Sequence, residues 1–82
     1  MTTVTKPESY WWGAINWRDD PYSQQFQAPT QEELRAMVIA FFNGLASQGG
    51  RPLLHADASL ETCALAFTND FRAVAHFYEW KP

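Results

Sequence analysis

Between Ser9 and Trp17 the chain turns from polar to aromatic, and Tyr10-Trp11-Trp12-Gly13-Ala14-Ile15-Asn16-Trp17 alternates in the manner of a strand. A period of two sends Trp11, Ile15 and Trp17 to one face and Tyr10, Trp12 and Ala14 to the other, so both faces carry rings. Gly13 within the run predicts a bulge or a close approach by another backbone. Arg18-Asp19-Asp20-Pro21 reads as a turn. The following residues through Pro29 keep no period and predict an irregular loop of about a dozen residues, a length often tied to function.

The clearest periodicity comes next. Thr30 with Glu33 three residues on forms a capping box, and Leu34, Met37, Val38, Phe41, Phe42 and Leu45 recur at helical spacing. A helix over 31–47 is expected, ended by Gly49-Gly50. Leu53 to Ala56 reads as a short strand and Asp57-Ala58-Ser59 as a turn. Leu60 to Phe67 then reads as a strand that folds back through Asn69-Asp70 as a hairpin. Pairing across that turn sets Phe67 opposite Arg72, Leu65 opposite Val74 and Cys63 opposite His76, with Ala64, Ala66, Ala73 and Ala75 on the reverse side. Leu60, Cys63, Ala64 and Phe67 also satisfy helical spacing with Ser59 as cap, so a second helix is the alternative for this stretch.

These elements predict an α+β fold: a single amphipathic helix packed on a small antiparallel sheet, in the order β-α-β-β-β. Residues 1–8 are expected to form a flexible arm and 9–82 one domain. The helix is expected on the alanine face of the hairpin. The face with Leu65, Phe67, Val74, Tyr78 and Trp80 then needs cover from the loop, the N-terminal aromatics or a second chain.

Length and composition sharpen this picture. A chain of 82 residues buries a limited core, yet it is 46% hydrophobic and 18% charged, which is globular rather than disordered. Aromatic residues make up 16%, including four Trp, which is more ring surface than one small core requires. Net charge is −3, and Lys6, Arg18, Arg35, Arg51, Arg72 and Lys81 are scattered. A nucleic-acid groove needs clustered cations, so nucleic acid is an unlikely partner. The single Cys63 cannot form an intramolecular disulfide. The N-terminus lacks the charged-then-apolar pattern of a secretion signal, and no apolar run reaches the roughly 20 residues that span a bilayer. A cytoplasmic protein without membrane contact is expected.

Little chemistry is legible. Cys63 and His76, if paired across the hairpin, supply the minimal geometry of a histidine-activated thiolate, and His55 could join them in a small enzyme or ligand-binding domain. A lone cysteine among alanines is more often a small buried apolar residue. His55, Asp57, Cys63 and His76 match no zinc framework, so neither metal nor cofactor is expected, and nothing marks the chain as an enzyme. The surplus rings are the stronger signal, because Trp and Tyr dominate interface anchors. The expected function is a small protein-binding module, of inhibitor or immunity type, that blocks a larger protein by surface occlusion. Its expected contact residues are Tyr10, Trp11, Trp12, Trp17, Asp19, Asp20, Tyr22 and Phe26. A homodimer or larger assembly built on the uncovered sheet face is the second expectation.

Overall fold

The computed structural model describes residues 10–80, and the arm expected over 1–8 lies outside them. Strand β1 (Tyr10–Trp17) turns into β2 (Ser23–Ala28), two helices follow as α1 (Gln31–Gln48) and α2 (Leu60–Phe71), and β3 (Ala73–Trp80) closes the fold. The sheet has the order β2-β1-β3 and is antiparallel throughout. The α+β class and the antiparallel sheet are as expected, while the element order is β-β-α-α-β and the helices number two.

Three segments depart from the sequence expectation, each for a local reason. Residues 23–28 form an edge strand whose apolar alternation is short, with only Phe26 and Ala28 buried. Residues 60–71 form a helix, not one arm of a hairpin. Ser59 Oγ accepts the Thr62 amide at 3.1 Å, and Leu60, Cys63 and Phe67 make the buried stripe. Chain reversal after it comes not from an Asn69-Asp70 turn but from Arg72, which sits in the left-handed region (φ 53°, ψ 40°) and ends α2. Leu53–Ala56 is not a strand. Its backbone is instead held by the Asn43 amide, which donates to the Leu54 carbonyl at 3.2 Å and accepts the Leu54 N–H at 2.8 Å.

Helix α1 begins where its capping box predicts, with Thr30 Oγ1 accepting the Glu33 N–H at 3.1 Å. It ends in a Schellman arrangement: the Arg51 N–H reaches the Ala46 carbonyl and the Gly50 N–H the Ser47 carbonyl, with Gly50 at φ 68°. Its buried stripe is Leu34, Val38, Ile39, Phe42 and Ala46, so Met37 is rotated out to solvent.

Both helices lie on one side of the sheet. That side of the sheet presents Trp11, Gly13, Ile15 and Trp17 from β1, Phe26 and Ala28 from β2, and Ala73, Ala75 and Phe77 from β3. The core between the layers is aromatic. Phe42 meets Phe67 edge-on at 5.0 Å between centroids and Phe71 at 5.2 Å, while Phe41 bridges Phe26 and Phe67. Ala73 and Ala75 let α2 approach, as small residues on a packed face should. Gly13 makes room not for another backbone but for a ring, since a Cβ there would lie 2.7 Å from Phe77 Cδ1. The register runs through Gly13 without a bulge.

Candidate functional site

Among the described residues, no helix lies on the other side of the sheet. Strand alternation puts Tyr10, Trp12, Ala14 and Asn16 of β1 there, flanked by Ser23, Gln25 and Gln27 of β2 and by Val74, His76, Tyr78 and Trp80 of β3. The registers order these residues into rows. Tyr10 pairs with Trp80, Trp12 stands between Gln27 and Tyr78, Ala14 between Gln25 and His76, and Asn16 between Ser23 and Val74.

The rows differ in height. At one end Tyr10 stacks on Trp80 with centroids 4.9 Å apart, and Trp12 meets Tyr78 at 5.0 Å, which makes a block of four rings. At the hairpin end the side chains are short. Ala14 is buried without belonging to the core cluster, because it forms the floor of the open face between Gln25 and His76. Tyr78 and Trp80 remain 49% and 42% exposed, and Val74 38%, so β3 carries three large or branched apolar side chains facing solvent.

Among the strand residues described on this face none is Asp, Glu, Lys or Arg, and the exposed Arg18 and Arg72 lie just past its hairpin end, where the Arg18 N–H meets the Arg72 carbonyl. A solvated sheet face ordinarily alternates polar and charged residues against the buried side. Here the polar positions hold only uncharged amides, a hydroxyl and an imidazole. A contiguous apolar patch rimmed by neutral donors and acceptors has the composition of an interface centre, from which charge is depleted.

The residues expected to meet a partner fall in three places. Tyr10 and Trp12 stand on the open face. Trp11 and Phe26 face the helices, with Phe26 buried and Trp11 packed against the core. Trp17 also packs on the core, touching Phe41 and Tyr22, while Asp19, Asp20 and Tyr22 lie exposed in the β1–β2 turn. That turn is fixed by the Asp20 carboxylate, which accepts the Tyr22 N–H at 2.9 Å. Tyr78 and Trp80, absent from the expected contact set, complete the ring block. Their signal was the alternation Val74, His76, Tyr78, Trp80, whose face the sequence had already left uncovered.

The thiol and imidazole are not brought together. Cys63 is fully buried on the inner stripe of α2, whereas His76 is exposed on the open face, across the sheet. Burial pushes the Cys63 thiol above its ordinary value, with the Arg35 guanidinium pulling part of the way back. A thiol held protonated in an apolar core is a packing group. Among the described residues no three of His, Cys, Asp and Glu gather where they could hold a metal ion. His55 and Asp57 lie exposed in the connection between the helices.

Two clefts remain. One of about 340 Å³ lies between the first turn of α1 and the start of α2, lined by Gln31, Glu32, Arg35, Ser59 and Leu60. Arg35 there donates to the Asp57 carbonyl at 3.2 Å. The other, about 250 Å³, runs past Tyr10, Gln27, Ala28 and Pro29 at the end of β2. It adjoins the ring block and extends the open face.

No family model, curated protein or solved structure matches this chain. The described residues form an α+β unit with two helices on one face of a three-stranded sheet and, on the other, an aromatic surface whose strand residues include no Asp, Glu, Lys or Arg. No helix among the described residues is long and apolar enough to cross a membrane.

Proposed function

We propose that this chain is a small protein-binding module whose working surface is the open face of its sheet. The observation that carries this reading is the block of half-buried Tyr10 and Trp12 with exposed Tyr78 and Trp80, on a face whose described strand residues carry no charged side chain, while a separate aromatic core holds the fold. Rings with two torsions apiece offer large contact area at low entropic cost, and the amides of Gln25 and Gln27 and the His76 imidazole give the rim its hydrogen bonds.

The partner is another protein with a neutral, apolar surface. The narrower form of the reading is an inhibitor or immunity-type protein that covers a functional surface of a larger protein, acting in the cytoplasm. Such a role asks only for a rigid platform, and the sheet backed by two helices supplies one. A nucleic-acid strand could stack on the same rings, but it requires cations alongside, and the described strand residues of this face supply none.

The test is capture of interacting protein by the tagged chain, compared with Trp12→Ala and Tyr78→Ala. Loss of an anchoring ring is expected to weaken capture by about 2 kcal/mol or more, roughly 30-fold. Circular dichroism should show the fold intact in both variants. Capture that survives both substitutions would sink the assignment to this face.

A further inference from the structure

The open face fits itself. We infer that, in the absence of a foreign protein, a second copy of this chain docks on it face to face about a two-fold axis that lies in the interface and runs across the strands. The inference rests on the reading above, since it names an occupant for the same surface.

Three features of the face argue for self-docking. Charge is the first. The chain is acidic overall, with a net charge of −3, and most surfaces of such a chain repel their own copy. The described strand residues of this face include no carboxylate, Lys or Arg, so like can meet like across them without repulsion between like charges.

Shape is the second. A two-fold axis across the strands turns each strand over onto its own copy with its direction reversed, so the tall end of one face lies on the low end of the other. With the axis midway between the Trp12 and Ala14 rows, Trp12 stands over Ala14 of the second copy, Tyr10 over Asn16, Trp80 over Val74 and Tyr78 over His76. Large side chains meet smaller ones at Trp12–Ala14, Tyr10–Asn16 and Trp80–Val74, while Gln27 meets Gln25 amide to amide and the Tyr78 hydroxyl is offered to an imidazole. Stacked sheets pack about 10 Å apart with their strands within about 30° of alignment, an arrangement this pairing allows.

Area is the third. Three strands at about 4.8 Å spacing, two of them about 26 Å long, give a flat footprint of roughly 350 Å², below the ~800 Å² per partner of a standard interface and in the range of weak, reversible contacts. A reversible dimer is expected, and self-docking excludes capture of a foreign protein because both use Trp12.

The experiment is sedimentation equilibrium of the full chain over a concentration series, with Val74→Glu as the variant. Val74 is already 38% exposed, so the glutamate is tolerated by the monomer, as circular dichroism should verify. The wild-type mass is expected to climb from 9.4 kDa toward twice that value in the micromolar range, and Val74→Glu to raise the dissociation constant at least about tenfold. The register is read by mixing Val74→Cys with Trp80→Cys and adding a short bismaleimide, which spans the roughly 10 Å between stacked sheets that a disulfide cannot, and the buried Cys63 does not compete. Cross-linking between the two variants, exceeding that of either alone, supports the pairing. Linkage of Val74→Cys mainly to itself overturns it.

A mass of one chain at every concentration would overturn self-docking. If capture of a foreign protein still depended on Trp12, the binding-module reading would stand while this inference fell. If Trp12→Ala and Val74→Glu changed neither self-association nor capture, both would fall together.

Discussion

Gly13 is where a single residue decides how the sheet packs. It faces the helices in the central strand, and the Phe77 ring from the paired position on β3 lies over it, close enough that an added Cβ would come within 2.7 Å of Cδ1 and 3.0 Å of Cε1. Leu34 Cδ1 is 3.6 Å away on the far side and limits how far the ring can retreat. Gly13→Ala is therefore expected to destabilise by about 1–3 kcal/mol, as overpacking of a filled core does, although alanine is the better strand residue. Urea denaturation measures it, and a variant as stable as wild type would mean that Phe77 moves freely. The glycine itself was legible in the sequence as a point of close approach. That the approaching group is a ring from 64 positions further along depends on β3 returning beside β1, which no local pattern encodes.

At the scale of elements, the junction between α2 and β3 shows why one helix was read as a strand. The alternation of Ala64 and Ala66 with Leu65 and Phe67 mimics a period of two, and Asn69-Asp70 mimics a hairpin turn. Helical spacing of Leu60, Cys63 and Phe67 competes with them in the same twelve residues. The decision falls to tertiary packing: the helical stripe buries Cys63 and Phe67 completely, while Leu65 is left 64% exposed. Strand β2 was hidden for the opposite reason, because an edge strand with one open face needs few apolar residues. Helix α1, with a capping box, a sustained stripe and a paired glycine stop, was legible almost to the residue.

The reversal itself is made by Arg72 in a left-handed conformation that favours glycine. Its N–H donates to the Phe67 carbonyl, and its carbonyl accepts the Arg18 N–H at 3.2 Å, extending the ladder one residue past the Trp17–Ala73 pair. Thr68 Oγ1 lies 3.0 Å from both the Ala64 and Ala73 carbonyls and ties the helix end to the strand start. These bonds use backbone atoms of residue 72, so Arg72→Gly keeps them and removes the Cβ strain. It is expected to stabilise by about 0.5–1 kcal/mol, the strain relief being partly offset by the greater freedom of glycine in the unfolded chain. A rise in the thermal midpoint checks this, and a fall would assign the Arg72 side chain a stabilising contact.

Across the whole molecule the rings divide into two populations with different work. Phe26, Phe41, Phe42, Phe67, Phe71 and Phe77 lie with Trp11 and Trp17 between the sheet and the helices, whereas Tyr10, Trp12, Tyr78 and Trp80 lie on the open side. The sequence announced a surplus of aromatic residues, and its two-faced β1 showed that they could not all share one core. It could not say which face the helices would choose, since Trp11 and Trp12 are chemically identical and differ only in which side of a pleat they occupy. That assignment comes from the small residues Gly13, Ala28, Ala73 and Ala75, which give one face the room to receive two helices. Stability should follow the division. Phe42→Ala or Phe67→Ala empties a fully buried site and is expected to cost about 3–5 kcal/mol, a large share of what holds so small a fold. Tyr78→Thr with Trp80→Lys removes two rings from the open side, but loses only cross-strand contacts worth about 1 kcal/mol each or less, and threonine suits an exposed strand. Urea unfolding of the dilute chain, at concentrations where it is a single copy, separates the two cases. Equal losses from both kinds of substitution would make the open rings part of the fold's foundation, and their availability to a partner would have to be given up.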